Sequence, residues 1–445
     1  MPHVRPVAFA LLPAIPLALL LRRTPDPRLR RWLPWILLAG TMLRLWYVLV
    51  TPASMRAYDF QGHFEYIQYV FLFDRIPPYV GGWEYFQPPL YYASAAAWSQ
   101  GWMALGEPAM ALPGLQAFSL LLSIVALWAG IGIGQVLFGK DGALALAFAA
   151  FLAAYPGLLA FASRLTNDAL LITLTFCALL ALLRYRATGG WRDWLTFSAL
   201  AGFALLTKTN PPTPPPPGAP TLALRRPGWT AFFARGAACA AVALGIAGWS
   251  VIPRALDQME RGVFPIGNIE SLSSKLEIPV TLGTLTTLHP HAVVAQPYAD
   301  TWATDGSRDY FWDFLLRSAY FGEFDFGETL APLATAILLV TLLLMPAGIA
   351  GVWTELRRRS PWAVPMLALA CLLLASQLSM RIHFPHSPIQ DFRLSMPACL
   401  SAAYFALRGI GSFKGLLRHA QWDLFLLLCA LCALFVAGVG VGLAA

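Results

Sequence analysis

The sequence predicts an all-α polytopic membrane protein, and three observations carry that prediction. Of its 445 residues, 58% are hydrophobic and only 12% charged, whereas soluble domains carry about 25% charged residues. Apolar runs of the roughly 20 residues that a membrane-spanning helix needs recur from one end of the chain to the other. The basic residues fall in short clusters between those runs. That pattern fits membrane orientation and argues against nucleic acid as a partner, despite a net charge of +8.

Apolar runs and their punctuation put segments at 7–21, 32–50, 113–137, 142–162, 168–183, 194–208, 232–253, 328–352, 361–380, 391–408 and 421–443, which makes eleven. The first reads as an uncleaved helix rather than a signal peptide, because Arg22 and Arg23 follow the run and no small-residue cleavage site is evident. With the loop from Arg22 to Arg31 in the cytoplasm, Lys140, Arg184, Arg186, Arg192, Arg225, Arg226, Arg235, Arg357, Arg358, Arg359, Arg408, Lys414 and Arg418 fall on the same side. That bookkeeping closes only if 209–224 returns the chain to the cytoplasm, so this Pro-rich stretch is expected to be a broken twelfth passage. The six cysteines, Cys177, Cys239, Cys371, Cys399, Cys429 and Cys432, lie inside apolar runs without metal-binding spacing and read as packing residues.

Most acids then fall outside, in two long loops at about 51–112 and 254–327. Chemistry is expected in such loops, because short connections merely join helices. In the first loop Asp59 stands out. A carboxylate at a membrane surface beside aromatics is partly desolvated, and a neighbouring cation keeps it ionised, which suits a general base. The same residue also reads as the cap of a helix starting at Phe60. His63 lies four residues on, so on a helix it shares a face with Asp59. Glu84 permits base-plus-metal or base-plus-orienter arrangements, though by itself it reads as a solvated acid. Gln87 precedes the Pro88-Pro89-Leu90-Tyr91-Tyr92 run, whose rigid prolines set the direction of the next helix.

Further along, Arg164 and Asp168 are spaced as a pair at helix ends, and Lys208 ends another segment as a point charge suited to phosphate. Arg44, inside the second segment, is expected to snorkel outward or to join this polar cluster. The second long loop holds His289, His291 and the amphipathic stretch from Asp309 to Arg317. A late outer loop carries Arg381, His383, His386 and Arg393, which read either as a grip on an anionic headgroup or as interfacial anchors.

Taken in order, these pieces resemble the membrane glycosyltransferases of the GT-C class, especially the branch of protein O-mannosyltransferases and the bacterial aminoarabinose transferase of lipid A. The likeness is strongest between Arg44 and Lys208 and thins to topology beyond it. It implies one glycosyltransferase domain over 1–445 with no soluble C-terminal domain, in the inner membrane with its site facing the periplasm or exterior. It further implies inverting transfer of a monosaccharide from a polyprenyl-phosphate donor, with Asp59 as base. His63, Glu84, Gln87, Tyr91 and Asp168 become substrate-binding residues, and Arg164, Lys208, Arg381 or Arg393 meet the donor phosphate. Some relatives hold a divalent metal near the first-loop acids, which makes Asp59, His63 and Glu84 candidate ligands. The acceptor is a glycan, lipid or protein, with small or lipidic acceptors favoured.

Two rivals share the polytopic build. A ligase or polymerase would use a lipid-diphosphate oligosaccharide and a comparable outer loop. A lipid or glycolipid transporter would show internal repeats with matched broken helices, and no convincing duplication is found here.

Overall fold

The computed structural model describes residues 4–21, 24, 26–139, 141–208, 218, 228–264 and 266–440. Lys140, Arg22, Arg23, Arg225, Arg226 and the Pro-rich passage at 209–217 and 219–224 lie outside the described residues. The architecture is all-helical as expected, and among the described residues the sole β feature is an isolated bridge between Glu277 and His386.

The principal helices are α1 (Val4–Leu11), α2 (Ala14–Leu21), α3 (Pro27–Val50), α4 (Phe60–Phe73), α5 (Leu90–Ala104), α6 (Leu112–Phe138), α7 (Gly142–Ala154), α8 (Asn167–Thr188), α9 (Trp191–Leu205), α10 (Trp229–Glu260), α11 (Phe311–Phe321), α12 (Ala331–Arg357), α13 (Ala363–His383), α14 (Ala398–Ile410) and α15 (Gly415–Gly438). Local chemistry starts several of them. Asp26 caps α3 by accepting from the amides of Arg28 and Leu29, and Pro27 presets the first turn. Thr166 Oγ1 accepts from the Asp168 amide at 3.3 Å and so opens α8.

Among the described residues α3, α6, α8, α10, α12, α13 and α15 are long and apolar enough to cross a membrane. α7 and Pro156–Ala162 reach that length only when taken together, as a pair bent by 53°. The other expected segments are helical but shorter. The first is split around Leu12 and Pro13 into α1 and α2. The segment at 391–408 opens with a tight 3-10 turn at Phe392–Ser395, which leaves α14 only 13 residues. At 1.5 Å per residue such a helix reaches roughly 20 Å, short of the ~30 Å hydrocarbon core.

The chain divides into two compact units. The first comprises Met1–Val136 and Ala160–Ser271, the second Leu137–Leu159 and Leu272–Ala445. In the second unit α12 and α14 touch backbone to backbone: a Cβ on Gly351 would overlap the Phe405 carbonyl, and one on Gly409 would overlap that of Ala347. Small residues allow such close approach where lipid offers no hydrophobic drive for association. In the first unit α8 and α9 pack antiparallel, α10 lies beside α9 in the same direction, with Trp194 against Arg235 and Gly202 against Ala243, and α4 pairs with α5. That last pairing brings the first outer loop together.

Candidate active site

In the first unit Asp59 is the residue before α4 and takes the left-handed conformation, φ 47° and ψ 33°. Outside glycine this region costs about 1 to 3 kcal/mol and persists only where the surroundings impose it. The side chain does not cap the helix. Its Oδ1 instead accepts from the Trp83 indole Nε1 at 2.9 Å. The sequence predicts a partly desolvated carboxylate, whereas Asp59 is exposed.

The turn that carries Asp59 is held from below. Arg164, only 3% exposed, donates through Nε to the Arg56 carbonyl at 2.8 Å. Its guanidinium lies 4.6 Å from the Tyr58 ring centroid and 5.4 Å from that of Phe161. Ser119 Oγ fixes Arg164 by donating to its carbonyl at 2.8 Å. Gln116 Nε2 bridges the carbonyls of Thr51 and Ser163 at 2.9 and 3.1 Å. Arg164 therefore braces the turn that carries Asp59, a role that its sequence spacing did not reveal.

The connection from Trp83 to Tyr92 packs against α4 because Gly62 leaves room. A Cβ at Gly62 would meet Trp83 Cδ1 at 2.8 Å and Glu84 Cγ at 3.0 Å. Glu84, read from sequence as solvated, is 4% exposed. One turn along α4, His63 Nδ1 meets the Tyr92 hydroxyl at 2.9 Å. Burial, and next the charge of Glu84, push the Tyr92 phenol well above its ordinary pKa. Tyr66 stacks on Tyr92 with ring centroids 3.7 Å apart and planes 6° from parallel. The Tyr66 hydroxyl donates to the Gln87 carbonyl at 3.3 Å. Tyr91, next in the chain, is fully buried.

Sequence reasoning missed two buried polar residues near the end of α10, one of them, Arg254, beside Tyr66. Arg254, near the end of α10 and just after Pro253, is 2% exposed, and its guanidinium lies 4.6 Å from the Tyr79 ring centroid. Its Nη1 donates to Ser250 Oγ at 2.6 Å, while Nε and Nη2 have no hydrogen-bonding partner among the described residues. Burial pushes the Tyr66 phenol up to about 12, against the pull of the Arg254 charge beside it. Gln258, four residues after Arg254 and therefore on the same helical face, is 1% exposed with neither amide atom partnered among the described residues. The available signal was an Arg and a Gln at i and i+4 near the outer end of a long apolar helix.

Asp168 finds a partner that short-range spacing did not foresee: Lys208 Nζ lies 2.6 Å from its Oδ1, with both side chains buried. Around this pair Asn167 Nδ2 donates to the Thr207 carbonyl at 3.4 Å, and the Leu90 amide to that of Leu206 at 3.1 Å. Arg44 turns inward, fully buried, and donates to Ser123 Oγ and the Gly40 carbonyl at 2.9 and 3.0 Å.

Arg381 and Arg393 belong to the second unit. Arg381 donates to Gln390 Oε1 at 3.1 Å and to the Pro279 carbonyl at 2.7 Å. The Arg393 amide donates to Asp391 Oδ1 at 2.8 Å. In the same unit Asp313 binds both the amide and the ring Nδ1 of His289, at 2.7 and 2.9 Å. Among the described residues no three His, Cys, Asp or Glu side chains converge as a metal site. Of the three candidate ligands, Asp59 Oδ1 meets Trp83 and His63 Nδ1 meets Tyr92.

The all-helical architecture is that of the GT-C membrane glycosyltransferase fold, and the chain is a multi-pass membrane protein. Residues 96–251 match the family described as Dolichyl-phosphate-mannose-protein mannosyltransferase, a match that stops short of Asp59. No curated protein matches the chain by sequence. Among solved structures, ArnT from Cupriavidus metallidurans bound to undecaprenyl phosphate is 16% identical, with a TM-score of 0.52 over 88% of this chain and 62% of that one. AglB, an oligosaccharyltransferase from Archaeoglobus fulgidus in complex with an inhibitory peptide and a dolichol-phosphate, is 13% identical, with a TM-score of 0.52 over 94% of this chain and 56% of that one. The chain thus spans 62% and 56% of the lengths of these two structural relatives.

Proposed function

We propose that this protein is a glycosyltransferase that moves one sugar from a polyprenyl-phosphate donor to an acceptor hydroxyl on the non-cytoplasmic face of a cell membrane. One observation carries the reading. The short connection that begins at Trp83 holds the exposed Asp59 carboxylate, and five residues into it the Gln87 carbonyl accepts from Tyr66, which lies beside the buried guanidinium of Arg254. A proton acceptor and an anion-binding cation thus share one scaffold.

In the reaction, the acceptor oxygen bonds to the anomeric carbon and passes its proton to Asp59. The bond between that carbon and the phosphate oxygen breaks, and polyprenyl phosphate leaves with the bonding electrons. A single displacement inverts the anomeric configuration. Charge grows on the leaving phosphate, where Arg254 has two uncommitted nitrogens among the described residues and is already oriented, so little reorganisation is needed. Trp83 steers the base without neutralising it. The lipid phosphates bound by ArnT and AglB support a donor of this class.

The test is turnover of defined lipid-phosphate sugars by the purified protein. Asp59→Asn is expected to lower transfer about a thousandfold, within the range of general-base catalysis, while bare polyprenyl phosphate still binds. Wild-type-like turnover in that variant would remove the base. Transfer from lipid-diphosphate oligosaccharides in preference to monophosphate sugars would replace the donor assignment.

A further inference from the structure

The C-terminal end of α10 folds back onto the connection that carries Trp83. Gly262, at φ 70°, closes the helix. Its amide donates to the Met259 carbonyl at 3.1 Å and the Val263 amide to that of Gln258 at 2.9 Å, the paired bonds of a Schellman motif. Val263, just past the turn, is 1% exposed and anchors it. Arg261, paired with Asp257 at 2.8 Å, reaches forward through Nη1 to the Gly267 carbonyl at 3.5 Å.

Two contacts seat the returning chain. Gly267 lies so close to Phe86 that a Cβ there would meet the Phe86 Cβ and Cγ at 2.6 Å. Asn268 Nδ2 donates to the Trp83 carbonyl at 3.3 Å. Trp83 is thus held at both ends, its carbonyl by Asn268 and its indole by Asp59 Oδ1 at 2.9 Å. Which rotamer a side chain adopts depends on its backbone angles, so fixing the Trp83 peptide also fixes the direction of its indole. The neighbouring Gly62 leaves that ring little freedom, since a Cβ there would meet Trp83 Cβ at 2.9 Å and Cδ1 at 2.8 Å.

Resting on the assignment of Asp59 as base, we propose that Asn268 is a positioning residue for the transfer reaction, acting through Trp83. By pinning the Trp83 carbonyl it sets the backbone from which the indole reaches Asp59. It does so from the turn that ends α10, the helix that bears Arg254. The base and the guanidinium assigned to the donor phosphate are thereby kept in one register, which a displacement aligned on both requires.

The test uses the purified full chain and the lipid-phosphate sugar that the wild type turns over. Asn268→Ala is expected to lower kcat about fivefold, the value of one hydrogen bond. KM for the donor, affinity for bare undecaprenyl phosphate and the thermal midpoint should stay at their wild-type values. Asn268→Asp, which keeps the shape but offers the carbonyl no donor, should lose at least as much. In a Trp83→Phe background Asn268→Ala should cost less than about twofold more, because the route through which it acts is already cut. A contact that only supports the fold would give about the same loss in both backgrounds, or lower the thermal midpoint, and either result overturns the inference. So does a wild-type kcat in Asn268→Ala while Asp59→Asn is impaired, and that outcome leaves the base in place. Wild-type turnover in Asp59→Asn removes the base, and this inference with it.

Discussion

Trp83 holds Asp59 by a single indole hydrogen bond of 2.9 Å, and it does so across a backbone gap that only Gly62 leaves open. Gly62→Ala should push Trp83 aside, because its Cβ would meet Trp83 Cδ1 at 2.8 Å. Transfer is expected to fall about tenfold, and Trp83→Phe, which removes the donor alone, should cost a similar factor given about 0.5 to 1.5 kcal/mol per hydrogen bond. Steady-state kinetics should assign both losses to kcat. An unchanged kcat in Trp83→Phe would show that the indole does not orient the base.

Arg164 grips the Arg56 carbonyl at 2.8 Å, two residues from Tyr58 and three from Asp59. Arg164→Lys keeps the charge but loses the planar fork and its stacking on Tyr58. The expected result is a lower kcat with donor affinity within about twofold, because the geometry of the base is disturbed and the cation is retained. Loss of donor affinity in place of kcat would return Arg164 to the phosphate.

The Lys208–Asp168 pair is buried on both sides. Breaking such a pair from one side typically costs about 3 to 5 kcal/mol, whereas replacing both partners with apolar residues of similar size is often close to neutral. Lys208→Met and Asp168→Leu should each lower the thermal midpoint in detergent, and the double variant should recover most of the loss. Additive losses would argue that each charge has a separate partner.

The Tyr66 phenol is pushed up to about 12 from 10.0 by burial. A raised folded-state value means that its stabilising contribution is complete below pH about 10 and is lost as pH climbs through about 12. Alkaline unfolding should therefore steepen in that window, and Tyr66→Phe should flatten it. An identical alkaline profile for the two proteins would show that another group governs the transition.

The membrane segments and the first-loop acid were legible because each depends on local pattern: apolar runs, caps and a charged residue beside aromatics. Even so, α14 falls short of its expected length because a 3-10 turn at Phe392–Ser395 takes its first residues. What sequence spacing missed was made by tertiary contact. Asp168 meets Lys208 forty residues away, a partner that local spacing does not offer. His63 shares a helical face with Asp59, yet its ring turns to Tyr92, which α5 brings against α4. Arg254 and Gln258 were hidden at the junction of an apolar run and a long loop, where a lone polar residue looks like the start of the loop. Glu84 reads as an ordinary surface acid until the Gly62 gap draws it inward.

The bond from Lys208 to Asp168 also constrains how the chain is made. Asp168 leaves the ribosome forty positions ahead of its counter-ion, and a lone carboxylate entering hydrocarbon carries a cost of about 2.5 to 3.5 kcal/mol. The helices between them therefore gain by entering the bilayer together as a hairpin, after translation has passed Lys208.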